Sequence, residues 1–106
     1  MTHVHVNPGV CGFLTEISVT SEDGQMAELD IRTSCPNLKP FAEELKSVDA
    51  YAECFGKICD STVYQAAQQY CRHPACPVPC AVIKGIEAAC GLALPRDVEI
   101  RIENQP

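Results

Sequence analysis

The sequence predicts an α+β fold: a small antiparallel or mixed sheet, built from an amino-terminal hairpin and a carboxy-terminal strand, with three to four helices on one face. Three observations predict it. Apolar residues alternate with polar ones up to residue 32 and again from residue 98, and between those stretches they recur at helical spacing. No internal repeat or low-complexity linker interrupts the 106 residues, a length that suits one core, so 1–106 reads as a single cysteine-rich domain.

The elements follow in order. Val4 and Val6 alternate with His3 and His5 before the turn Asn7-Pro8-Gly9, which predicts a short exposed strand. Phe13, Thr15, Ile17 and Val19, then the turn Ser21-Glu22-Asp23-Gly24, then Ala27, Leu29 and Ile31, predict a hairpin with one buried and one wet face. Leu38, Phe41, Ala42 and Leu45 share a helical face, with Asn37 the expected cap and Pro40 the third helical residue. Asp49 is placed to cap a short helix ending at Gly56. Ser61 or Thr62 opens a third, with Val63, Ala66, Ala67 and Tyr70 on its core face. The fourth runs from about Pro77 to Cys90 and stops at Gly91, burying Val82, Ile83, Ile86 and Ala89. Val98, Ile100 and Ile102, alternating with Glu99, Arg101 and Glu103, predict the last half-buried strand.

Composition narrows the function. Fourteen acidic against eight basic side chains give a net charge of −6, and the basic residues are scattered, which argues against a nucleic-acid partner. No apolar run approaches the roughly 18 residues of a membrane span. The amino terminus lacks the basic start and apolar stretch of a secretory signal, which predicts a cytoplasmic chain. In that reducing compartment eight cysteines read as metal ligands, redox groups or buried small hydrophobes before they read as disulfides.

The cysteines divide by context. Cys90 continues the apolar face of Ile83 and Ile86 and reads as a core residue. Cys54 and Cys59 bracket a helix end at a spacing that fits no common metal motif, and Cys71 stands at the frayed end of the third helix. Cys11, Cys35 and Cys76 differ: each lies beside Gly or Pro, at a strand entry or just before a helix. A helix start offers unpaired N–H groups and partial positive charge, which stabilise a thiolate. With helices on one sheet face, these three can converge at one edge. A fourth ligand would come from His73, three residues before Cys76, or from Cys80, one turn into the helix. Such a Cys₃His or Cys₄ set suits zinc or an iron–sulfur cluster. No CxxC pair, phosphate loop or nucleophile elbow is present, and His3 with His5, Lys84 with Glu87, and Glu43 with Glu44 read as solvated surface.

The segments Asn7-Pro8-Gly9-Val10-Cys11-Gly12-Phe13, Ser34-Cys35-Pro36-Asn37, His73-Pro74-Ala75-Cys76-Pro77-Val78-Pro79 and Gly91-Leu92-Ala93-Leu94-Pro95-Arg96-Asp97-Val98 resemble an uncharacterised family of small cysteine-containing proteins from anaerobic bacteria and methanogenic archaea. That resemblance implies an anaerobe's cytoplasm and favours iron–sulfur over zinc. The chain is also similar to the TSCPD domain, a small metal-binding cysteine domain. There too a cysteine precedes a hairpin with an Asp-Gly turn, as Cys11 does; another ends the hairpin, as Cys35 does; and a Cys-Pro starts a later helix, as Cys76-Pro77 does. The chain departs from that motif in having Pro-Val where the motif has an aspartate, and it lacks an obvious equivalent of the motif's remaining ligand.

Three functions of different class follow: a metal-binding module serving electron transfer or contact with a protein or redox partner; a thiol-dependent enzyme or sulfur carrier; and a structural domain with free thiols that forms a homo-oligomer.

Overall fold

The alternating first third of the chain becomes three antiparallel strands. In the computed structural model, which describes residues 1–105, they are β1 (Thr2–Val6), β2 (Thr15–Thr20) and β3 (Met26–Thr33). Registers Val4↔Ile17 and Ile17↔Ile31 align the apolar rows across the strands. The predicted turn is held by its own side chains. Ser21 Oγ accepts from the Gly24 N–H at 2.9 Å and donates to the Met26 carbonyl at 2.7 Å, while Asp23 accepts from the N–H groups of Gln25 and Met26. Those two amides hold the Asp23 carboxyl below its ordinary pKa.

The fourth strand is not the predicted one. β4 is Ser47–Asp49, pairing with Met26–Glu28 of β3 to give the order β1-β2-β3-β4. It is three residues long, too short to show alternation. Val98, Ile100 and Ile102, expected in a half-buried strand, belong to no ladder and are 59%, 74% and 88% exposed. Their pattern is that of a strand, but among the described residues no strand pairs with them to supply hydrogen bonds.

Helices α1 (Lys39–Glu44), α2 (Ala50–Phe55), α3 (Thr62–Tyr70) and α4 (Val78–Ala89) follow. Asn37 does not cap the first. A 3-10 turn over Pro36–Leu38 satisfies the Leu38 N–H on the Cys35 carbonyl, Leu38 stands at the α1 cap without a side-chain bond, and Pro40 is the second helical residue. The other boundaries are as expected. Asp49 accepts from Tyr51 and Ala52, Ser61 accepts from Tyr64, and α4 ends where Gly91 takes φ +72° and the Leu92 N–H reaches back to the Glu87 carbonyl.

The helices supply Phe41, Val63, Val78, Val82 and Ile86 to a core completed by Ile17, Val19, Leu29 and Ile31 of the sheet. The opposite sheet face is polar. His3 hydrogen-bonds Ser18 at 3.0 Å, His5 contacts Glu16, and Arg32 pairs with Asp30 at 3.1 Å. Among the described residues no helix is long and apolar enough to cross a membrane.

Candidate functional site

The position of α4 decides which cysteines meet. A Cβ at Gly85 would come within 2.9 Å of a Val4 methyl and 3.1 Å of a Val19 methyl, so mid-α4 lies directly on β1 and β2. A Cβ at Gly24 would stand 3.8 Å from the Cys90 carbonyl oxygen, so the carboxy end of α4 overlies the β2–β3 turn. Its amino end therefore lies at the opposite edge, where β3 ends and the loop 7–14 joins β1 to β2. There Thr15 and Thr33 share a hydroxyl bond of 2.8 Å, the Ser34 N–H donates to the Leu14 carbonyl, and the Cys35 N–H donates to Thr33 Oγ. Cys11, Cys35 and Cys76 thus come from three segments that share one end of the molecule.

Cys76 is at the centre of that end, and its neighbours are thiols. The Val78 N–H at the start of α4 donates to its sulfur, yet the Cys76 pKa is pushed up to about 11. Burial is the main cause, and the thiols of Cys71 and Cys35 add to it. The expectation that a helix start lowers this thiol's pKa is therefore overturned: desolvation outweighs one amide. Cys71, Cys76 and Cys35 are all half-buried against the core. Cys71, which the sequence left unplaced, is brought in by the turn 71–76. Its thiol donates to the His73 carbonyl at 3.3 Å, and the Cys76 N–H donates to the same oxygen at 3.0 Å. The readable signal was Pro74, which bends the four residues between the two cysteines back on themselves.

The other expected ligands are exposed. Cys11 is exposed in the loop 7–14, where Gly9 and Gly12 take φ +89° and +71°. His73 is exposed, and its carbonyl accepts from both neighbouring cysteines. Cys80 is exposed. It lines an open groove between α2, α3 and α4 with Cys54, Tyr64, Ile83, Lys57 and Lys84. Burial, with Cys80 nearby, raises the Tyr64 pKa. Cys54 is pushed up to about 11 by burial first, then by Glu87, Cys90 and Glu53. Cys90 is half-buried against the core, in keeping with its packing role. Among the described residues no three His, Cys, Asp or Glu side chains stand close enough to hold one metal ion.

Glu53 was missed altogether. Only 6% exposed, it accepts from Ser61 Oγ at 2.7 Å and from the N–H groups of Thr62 and Val63 at 2.9 Å each. Ser61 relays the arrangement by accepting from the Tyr64 N–H. The carboxylate lies at the start of α3, where free amides and partial positive charge favour an anion.

No curated protein and no solved structure matches the chain. The family of unknown function DUF6951 matches residues 2–102, a span that holds every cysteine and every strand and helix described above. The chain belongs to that family.

Proposed function

We propose that the chain binds a thiophilic metal, as zinc or as an iron–sulfur cluster, through Cys35, Cys71 and Cys76, with Cys11 as the fourth ligand. The observation that carries this reading is the gathering of thiols from separate segments at the amino end of α4. Thiolate sets of this kind suit either metal form. Ligation would require the three side chains to draw together and the loop 7–14 to come over them, and Gly9 and Gly12 give that loop conformational freedom. The similarity to the TSCPD domain supports the same positions through Cys11, Cys35 and Cys76-Pro77. A reducing cytoplasm suits the chemistry because it keeps the thiols available. Electron transfer to a redox partner, or a metal-held contact with another protein, is the role such a module serves.

Anaerobic purification followed by metal analysis and an absorption spectrum tests the reading. One zinc or one cluster per chain is expected, lost in a Cys35→Ser, Cys71→Ser, Cys76→Ser triple variant and kept in Cys54→Ser, Cys59→Ser. A colourless protein that takes up neither zinc nor iron and sulfide sinks it.

The shared His73 carbonyl favours one second reading, thiol–disulfide exchange at Cys71 and Cys76. A thiolate of the pair attacks an external disulfide, the other thiolate displaces the mixed disulfide, and two external thiols leave. Incubation with glutathione disulfide followed by peptide mapping distinguishes it: a Cys71–Cys76 bond formed at stoichiometric yield supports exchange, and random glutathionylation rejects it.

A further inference from the structure

After the Gly91 stop, the chain leaves α4 through Leu94 and a tight turn in which the Arg96 N–H donates to the Leu94 carbonyl. Beyond it Val98, Ile100 and Ile102 fall on one side of the chain, and Glu99, Arg101 and Glu103 on the other, with Arg101 in reach of both carboxylates. The molecule measures 50 Å along one axis against 28 and 24 Å along the others. Seven extended residues span roughly 23 Å, enough to account for the excess length. The segment thus projects from the body with a strand's pattern and, among the described residues, no strand paired with it. At the sheet margin β1 has the complementary lack. It is an outer strand, and among the described residues its backbone has no partner other than β2.

We propose that two copies of the chain exchange these segments, residues 97–103 of each adding a fifth strand to β1 of the other. Period and face match. Val98, Ile100 and Ile102 would run beside Thr2, Val4 and Val6 on the helix-covered side, where Val4 is only half-buried. On the polar side Glu99 would lie beside one of His3 and His5 and Arg101 beside the other, with Arg101 held between its own Glu99 and Glu103 carboxylates. Overhead, Ala81 and Ala88 share a stripe of α4 with Gly85, which rests on Val4, so the helix flank above the added strand is low enough to admit it. The exchange is reciprocal and closes with two-fold symmetry, so it joins two copies and stops, and it covers the edge that an outer strand otherwise leaves open.

Sedimentation equilibrium on the full reduced chain, with amide exchange on the same samples, tests the proposal. Expected are a mass of twice 11.5 kDa for the parent protein, a return to 11.5 kDa in Ile100→Asp and in Ile102→Asp with unchanged circular dichroism, and alternate β1 amides protected only in the dimer. Both substituted residues are exposed in the single chain, so their loss leaves its fold intact. A monomeric parent overturns the proposal, whether its β1 amides exchange freely or are protected by the chain's own tail. So does a dimer that survives both substitutions or leaves the β1 amides unprotected.

Discussion

The thiol of Cys71 and the backbone N–H of Cys76 converge on one acceptor, the His73 carbonyl oxygen. The two residues are five apart in sequence, at the end of one helix and just before the next, and the shared acceptor fixes their spacing without any side chain from outside the turn. Cys76 is thereby paired with Cys71, while Cys35 approaches from the end of β3.

Cys71→Ala is expected to separate fold from metal binding. The Cys76 N–H keeps its acceptor and the helices keep their packing, so stability of the metal-free protein should change by no more than about 1 kcal/mol. Metal affinity should fall at least about tenfold, since losing a ligand costs more than losing a group that merely orients one. Competition titration against a chromophoric chelator measures the second, urea unfolding the first.

Removal of Glu53 should be far more damaging. Glu53→Ala strips an acceptor from Ser61, Thr62 and Val63 together and leaves the first turn of α3 unsatisfied in a buried position. A loss of about 3 kcal/mol follows from the strength of hydrogen bonds to a charged group. In a chain of this size the melting temperature should drop by more than about ten degrees. Glu53→Gln keeps one acceptor oxygen and should lose less.

Gly85→Ala sets helix propensity against space. Alanine gains about 1 kcal/mol within a helix. The new methyl would press on Val4, at the sheet edge, and on Val19, which is fully buried and has nowhere to move. Overpacking of this kind costs about 1 to 3 kcal/mol, so a net destabilisation is expected on thermal unfolding. Gly85→Val should be worse.

Two raised thiols give the metal-free protein an alkaline limit. The pKa values of Cys54 and Cys76 are pushed up from the ordinary 9.0 to about 11, so the folded chain resists ionisation that the unfolded chain accepts. Their contribution to stability is complete below about pH 9 and is lost as pH rises through about 11. Melting temperatures of the reduced protein should fall across that window, and less so in Cys54→Ala. For the same reason iodoacetamide should label Cys54 and Cys76 at least about tenfold more slowly than the exposed Cys11, Cys59 and Cys80 at pH 8.

What could be read from the sequence was whatever is settled within a few residues. The Ser21–Gly24 turn, the Asp49 and Ser61 caps and the Gly91 stop all close on groups at most five positions away, and they stand where the pattern put them. Asn37 failed as a cap because the turn beginning at Pro36 satisfied the helix start with backbone alone. β4 escaped notice because three residues carry no period. Val98, Ile100 and Ile102 have the right period, but pairing also requires a neighbour, which alternation cannot supply. At the candidate site, the shared end of Cys11, Cys35 and Cys76 was inferable from the sheet-and-helix arrangement. The place of Cys71 depended on how 72–75 bends, and the place of Cys80 in its groove on the helical phase of α4 relative to α2 and α3. Glu53 looked like any acidic residue of a short helix until the start of α3 was set against it.

That carboxylate has a further consequence. The amino end of a helix commonly receives phosphate or sulfate, and α3, nine residues long, would be a natural candidate in this fold. Glu53 already occupies the place as an internal counter-ion, delivered from the preceding helix and buried there. Solutes carrying phosphate meet a negative charge instead of vacant amides at α3, so that end of the helix is closed to them by the chain itself.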